Sequence, residues 1–309
     1  MKPRHGSIVI GTLALVAATY AASAQTPPAA STGALSRIQA TGRIRFGYRI
    51  DARPFSYRDA FGSAVGYSIT LCDRIADAIR SELRLGQLAI DWVPVSAVDR
   101  FQAVREGAVD ILCGADTVSL ARRSEVAFSI PVFPGGIGVL LRTDAPVRLR
   151  DVLSGKEQTF HPTWRASASQ VLQTRAFAVV TGTIAENWLE QRIDDLHLIT
   201  KATQVASYQD GVQAVLDRHI DALFGERAIL LEVSRRHPGA DNVVVLNRLF
   251  TYGPVALTLP PNDERLRLLV DRTLAGFYAD GKIANLYTTW FGEPDAAALA
   301  FFKWSTVPD

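Results

Sequence analysis

Side chains that hold metals or carry redox chemistry are scarce in this 309-residue chain. Cysteine occurs only at Cys72 and Cys113, and beyond His5 the histidines His161, His197, His219 and His237 are scattered without metal-ligand spacing. No Gly-x-Ser-x-Gly elbow and no paired-carboxylate motif is present. Past the first two dozen residues no apolar run approaches the ~20 residues needed to span a bilayer. Net charge is also lacking, at +2 for the whole chain. These absences argue against a metal or other cofactor, against covalent hydrolase chemistry, and against nucleic acid as a partner, which needs a concentrated basic surface.

The apolar residues that are present first form an export signal. Lys2, Arg4 and His5 precede the mostly apolar stretch Ser7–Ala18, and Ala22-Ser23-Ala24 has the small-x-small pattern of a signal-peptidase site. No cysteine stands beside that site to take a lipid anchor. Cleavage after residue 24 removes Lys2 and Arg4 and no acid, leaving a near-neutral exported protein, expected in the periplasm. Residues 25–33 read as a flexible Pro/Ala/Ser/Thr-rich leader. In an oxidising compartment Cys72 and Cys113 are either bridged or two buried thiols. A bridge closing a loop of about 40 residues would contribute roughly 4 kcal/mol in the chain-entropy model.

The chain's organising feature is a repeat. Asp99–Gly114 (DRFQAVREGAVDILCG) and Asp210–Gly225 (DGVQAVLDRHIDALFG) agree at Asp99/Asp210, Gln102/Gln213, Ala103/Ala214, Val104/Val215, Asp110/Asp221, Leu112/Leu223 and Gly114/Gly225. Each reads as an amphipathic helix feeding a buried strand that ends at a glycine. Two such units predict two similar α/β lobes, with ligands beyond the carboxyl ends of the strands.

In chain order the pattern predicts a short helix at 36–40, strands at 44–50 and 88–94, and a helix over 66–85 with Ile69, Cys72, Ile75, Ala76 and Ile79 on one face. A Gly-containing strand follows at 135–142, then a surface insertion around 157–174, and a strand at 176–180. Thr183-Ile-Ala-Glu186 fits a capping box opening a helix. A strand near 196–200, the repeated unit, and 242–246 complete the second lobe. The strand 252–259 is a return crossing, and helices follow at 266–278 and 283–291. The expected division is lobe 1 from 34–140 and 253–309, with lobe 2 from 141–252 inserted into it.

Several side chains at these strand ends can hold a ligand. Arg122 closes a loop with Asp116, Thr117 and Ser119, where a guanidinium and loop N–H groups can share one carboxylate. Thr183 stands at a helix N-terminus, which attracts anions. Arg49 ends the first strand, Arg100 begins the repeat's helix, and Glu226 follows Gly225, placed to receive an ammonium group.

Taken together these segments resemble the periplasmic solute-binding proteins of amino-acid ABC importers, most closely the glutamate/aspartate branch. The resemblance rests on RIQATGRIRFGYRIDARPFSY, VGYSITLCDRIADAI, DRFQAVREGAVDILCGADTVSLARRSEVAFS, VVTGTIAENWL, DGVQAVLDRHIDALFG and DGKIANLYTTWFGEP. It implies a type II, two-lobe α/β fold with the ligand cleft at the hinge, and a monomer that captures an acidic amino acid and delivers it to a membrane permease. It implies that Arg122 clamps the α-carboxylate with Thr117 and Thr183, that Glu226 receives the α-ammonium, and that Arg49 and Arg100 hold a side-chain carboxylate. Asp116 and Tyr208 complete the set. Three arginines against one glutamate then leave a site of about +2, suited to a ligand of net −1.

Some positions depart from that pattern. Ala97 and Ala115 stand where a serine is usual, Tyr208 where a histidine is, and Ser68 and Thr70 where the first long helix usually carries acids. Two other functions share the fold. A dehydratase-like enzyme would need a general acid or base facing the cleft, and a sensor for a receptor kinase would differ only in its partner.

Overall fold

The computed structural model describes residues 33–156 and 171–308. The expected signal and nearly all of the leader lie outside the described residues, as does most of the expected insertion. Two five-strand sheet paths dominate. The first runs Ala89–Val95, Arg43–Arg49, Ile111–Thr117, Gly253–Leu259, Ala127–Phe128, with Phe133–Gly135 also pairing with Gly253–Leu259. The second runs Ala202–Val205, Phe177–Val180, Ala222–Glu226, Ile137–Arg142, Val243–Val245. In both, the first three strands are parallel and the fourth is antiparallel. That fourth strand is the segment crossing between lobes.

The two halves of the sequence repeat land in equivalent places. Helix Arg100–Arg105 leads to strand Ile111–Thr117, and helix Tyr208–Leu216 leads to strand Ala222–Glu226, each the third strand of its sheet. Both helices begin with a reciprocal serine–aspartate contact, Ser96 Oγ to Asp99 at 2.7 Å and Ser207 Oγ to Asp210 at 2.8 Å. The shared aspartates are structural. Asp110 accepts from the Arg45 backbone N–H at 2.8 Å and also pairs with Arg37, while Asp221 accepts from the Ala176 N–H at 2.9 Å. Each ties its strand to the start of the first strand of the sheet.

Central strands flanked on both sides read as near-continuous apolar runs. Ile44, Phe46 and Tyr48 are buried in the first sheet, and Phe177 to Val180 in the second. Helix Tyr67–Glu82 buries Ile69, Cys72, Ile75, Ala76 and Ile79 against the first sheet, the face that its sequence predicts. Its start needs Gly66, where φ is +145° and a Cβ would stand 2.1 Å from the Phe55 carbonyl oxygen. The Ser68 hydroxyl donates to the Gly114 carbonyl at 2.7 Å, and Cys72 is bridged to Cys113 with Cα atoms 6.3 Å apart. Together these contacts fix the helix to the strand that carries the candidate site.

The lobes are joined by two strands. Gly135 pairs with Gly253 in the first sheet, and Ile137 already pairs with Glu226 in the second. The crossing segments run so close that a Cβ at Gly136 would lie 2.3 Å from the Thr251 carbonyl oxygen. Phe133 sits beside this crossing, with its ring centroid 4.5 Å from that of Phe291 and 4.9 Å from that of Phe55. The helix Lys282–Phe291 is thereby packed against the base of the hinge.

Three local expectations need correction. The strand Ile137–Arg142 lies wholly in the second sheet, so the outgoing crossing falls at Gly136 and not at residue 140. No strand occupies 196–200. Helix Ile184–Asp195 runs further than expected, His197 turns the chain with φ 50°, and the strand is Ala202–Val205. Asp116 and Thr117 belong to the strand Ile111–Thr117 and not to a loop. The C-terminal helix Ala296–Ser305, capped by Asp295, was not anticipated.

The bridge closes a sequence separation of 41 residues, for which the chain-entropy model gives about 4 kcal/mol. Cys72→Ala/Cys113→Ala protein should therefore lose stability on that order in urea unfolding. Equal midpoints for the wild type with and without reductant would contradict this.

Candidate functional site

The carboxyl ends of the third strands and of the first strand bring the predicted residues together. Arg49 ends the first strand, with its backbone N–H held by Ser56 Oγ at 3.1 Å and its side chain only 6% exposed. Its guanidinium forms a two-bond fork with Asp51, Nε to Oδ1 at 2.7 Å and Nη2 to Oδ2 at 2.8 Å. Burial works against the Arg49 charge, but Asp51 outweighs it and the pKa is raised.

Arg100, 3% exposed, donates Nε to Asp116 Oδ1 at 2.5 Å. Asp116 is itself buried and accepts from the Thr258 hydroxyl at 3.5 Å. Arg100 Nη1 reaches the other lobe, donating to the Gly182 carbonyl at 3.1 Å. Gly182 is pressed on the first lobe there: φ is +75°, and a Cβ would lie 2.7 Å from the Ala97 carbonyl oxygen. The guanidinium of Arg100 lies 4.2 Å from the Phe101 ring centroid, and that of Arg122 lies 5.0 Å from the same ring. One aromatic face thus supports two cations.

Arg122 is held by its neighbours on the loop. Ser119 caps the short helix Leu120–Arg123 by accepting the Arg122 N–H at 3.2 Å, and Arg122 Nη1 donates to the Thr117 carbonyl at 2.8 Å. Among the described residues this guanidinium has no carboxylate partner. Burial, then the neighbouring Arg100 charge, lower its pKa to about 10, so it remains charged at pH 7 as the least compensated of the three arginines.

From the second lobe come Thr183, Tyr208 and Glu226. Thr183 stands at the N-cap of Ile184–Asp195, but its hydroxyl turns back to the Val180 carbonyl at 2.7 Å. The expected capping box does not form: Glu186 accepts from the Gly182 N–H at 2.7 Å, one residue before the N-cap, and the Thr183 N–H goes to the Val180 carbonyl at 3.3 Å. Tyr208 is buried flat against Gly225, where a Cβ would meet its ring at 2.5 Å. Burial pushes its hydroxyl up to about 12, while Arg49 lowers it and Glu226 and Asp51 raise it.

Glu226 is 6% exposed and accepts from the Gly136 N–H at 3.0 Å and the Ala228 N–H at 3.5 Å. Among the described residues its side chain has no ion pair. Burial lifts its pKa to about 7 against the pull of those N–H groups.

The expected charge of about +2 needs correction. Asp51 and Asp116 stand with the arginines, so three guanidiniums face three carboxylates when Glu226 is ionised. Asp51, Phe101, the Gly182 carbonyl and the Gly136 N–H were missed from the sequence. An acid two residues after a strand-end arginine was the one available signal. A groove of 660 Å³ beside Glu226 and the helix Arg227–Arg236 is lined by none of the three arginines, so it is not where these residues meet.

Comparison with known proteins agrees with this architecture. The sequence profile of the bacterial extracellular solute-binding proteins, family 3, matches residues 44–293. The chain is similar to the L-glutamate/L-aspartate-binding protein of Pseudomonas aeruginosa, 25% identical over 264 residues, covering 85% of this chain and 81% of that one. It is also similar to an L-cystine-binding protein of Escherichia coli, 22% identical, covering 85% and 88%. Among solved structures, an ancestral amino acid-binding protein, a precursor of cyclohexadienyl dehydratase, superposes with a TM-score of 0.67 at 21% identity, covering 84% and 99%.

The Glu226 environment makes a signed prediction. Its folded pKa of about 7 lies above the ordinary 4.5, so between those values the folded chain holds a proton that the unfolded chain has released. Stability from this group therefore falls as pH rises from about 4.5 to about 7, by roughly 3 kcal/mol. Relative to wild type, ligand-free Glu226→Gln should be more stable by about that amount at pH 8 and equal at pH 4. A difference that does not change with pH in paired urea titrations would contradict this.

Proposed function

The chain belongs to family 3 of the bacterial extracellular solute-binding proteins, and on that premise we propose that it is an exported receptor that closes its two lobes on an amino acid and delivers it to an ABC importer. One observation carries this reading. Among the described residues the cluster offers one cation without a carboxylate partner, Arg122, and one carboxylate without an ion pair, Glu226. A zwitterionic amino-acid head supplies the two missing partners. Arg122 takes the α-carboxylate beside the Thr117 segment and the N-terminus of Ile184–Asp195, and Glu226 takes the α-ammonium. Glu226 is buried and Arg122 half-buried, so such pairs strengthen as the closing lobes exclude water, which couples binding to closure. Among the described residues no helix is long and apolar enough to cross a membrane.

A second reading specifies an acidic amino acid. It is favoured by the relative named for glutamate and aspartate and by the presence of Arg49 and Arg100 beside Arg122. It requires Asp51 and Asp116 to surrender those guanidiniums to the ligand. The binding-protein names of the relatives support a non-catalytic role. An enzymatic role has one structural neighbour in its favour, the dehydratase precursor, and would draw on Glu226. Ligand recovered unchanged in mass after prolonged incubation is the expected result.

Arg122→Ala removes the one guanidinium of the three that has no carboxylate partner among the described residues. It should weaken amino-acid binding in calorimetry by at least about 100-fold, the scale for truncating one side of a buried charge pair. Near-native affinity would sink the assignment.

A further inference from the structure

The two ion pairs beside the proposed amino-acid seat define which side chains the cleft accepts. We propose that Asp51 and Asp116 act as built-in counterions that close the side-chain end of the cleft to a second ligand carboxylate, so that the receptor takes net-neutral amino acids with a hydrogen-bonding side chain, carboxamides foremost. The inference rests on the receptor reading above and narrows it.

Geometry is the first argument. Arg49 spends Nε and Nη2 on Asp51, and Arg100 spends Nε on Asp116 and Nη1 on Gly182. Among the described residues Nη1 of Arg49 and Nη2 of Arg100 have no hydrogen-bond partner. The side-on face of each guanidinium is engaged at Nε, so a ligand meets only N–H groups at the outer end of a cation whose charge an acid already balances. The pairs are not loose surface contacts. Both arginines are buried, and Asp116 is 2% exposed. Asp51, at 24% side-chain exposure, keeps acceptor capacity on the accessible side. The end of the cleft therefore presents spare N–H donors beside a carboxylate acceptor. A carboxamide, with one carbonyl oxygen and one NH₂ group, satisfies both kinds of partner.

Charge is the second argument. With Glu226 ionised, the three guanidiniums and three carboxylates cancel, and a zwitterion adds nothing to the sum. A dicarboxylic ligand would leave an unbalanced negative charge in a closed, desolvated cleft beside Asp51 and Asp116. A cationic side chain would have to compete with Arg49 and Arg100 for the same acids.

The test is a calorimetric panel of the twenty amino acids against protein freed of bound ligand by unfolding and refolding. Glutamine or asparagine should bind at least about 10-fold more tightly than glutamate, aspartate, arginine or lysine, a difference of about 1.4 kcal/mol. Asp51→Asn should shift the glutamate-to-glutamine affinity ratio toward glutamate by about 10-fold or more, because it frees the Arg49 fork. Tighter binding of an acidic or basic amino acid by the wild type would overturn this inference and leave the receptor reading standing. An unchanged ratio in folded Asp51→Asn would also overturn it. Binding of none of the twenty would overturn both. The wild-type panel decides even where the variant fails to fold.

Discussion

Three guanidinium groups gathered between two lobes, two of them buried and one half-buried, must be neutralised, and that constraint shapes the whole centre of this protein. Two of them carry their own counterions. Asp51 grips Arg49 through two bonds, and Asp116 holds Arg100 from within the first sheet. The third, Arg122, is left with a backbone carbonyl and an aromatic face. On the other lobe Glu226 is buried with only N–H partners. An isolated buried charge is costly, and Glu226 lessens that cost by holding a proton near neutral pH. A molecule bringing one carboxylate and one ammonium relieves both unmatched groups at once. On the proposed reading that relief supplies the thermodynamic basis for closing around a ligand.

The fold provides this arrangement by duplication with divergence. Each lobe offers the same helix and third strand, stapled by the same aspartate to the first strand of its sheet. Beyond the shared glycines the copies differ. The first continues through Ala115 and Asp116 to Thr117 and on to Arg122, whereas the second ends at Glu226 and begins the helix Arg227–Arg236. Gly225 lets Tyr208 lie flat across the strand. Gly114 keeps its carbonyl for Ser68, and the Cys72–Cys113 bridge holds the helix Tyr67–Glu82 against the strand that ends in Asp116 and Thr117. On the proposed reading the anion-binding side is the lobe anchored by the disulfide, and the proposed cation-binding carboxylate, Glu226, sits at the hinge itself, bonded to Gly136 of the crossing strand.

The repeat, the two-lobe organisation and the strand ends bearing Arg49, Arg122 and Glu226 were legible because they follow from local apolar periodicity and from glycines closing it. What was not legible depends on distant partners. Asp116 read as a loop residue because the strand is extended to Thr117 by pairing with Val255 and Ala256, far along the chain. Only that pairing fixes which way its carboxylate points. Asp51 lies beyond a strand end, where the direction of the turn is set by Ser56 and the small sheet it enters. Counting charges from the sequence therefore gave a positive cleft, whereas the structure gives a balanced one. The missed strand boundary at 202 has a simpler origin, since the helix before it continued past its apolar stripe until the left-handed turn at His197.

The central claim is that the ligand's ammonium completes a pair with Glu226 that the empty cleft leaves half-protonated. Proton release on binding tests it most directly, read as the dependence of calorimetric binding enthalpy on the buffer's ionisation enthalpy. With a folded pKa of about 7, binding at pH 7 should release about half a proton per ligand, rising toward a whole one as the pH falls about one unit below that pKa. A binding enthalpy at pH 7 that is independent of the buffer, or that shows proton uptake, would contradict the account.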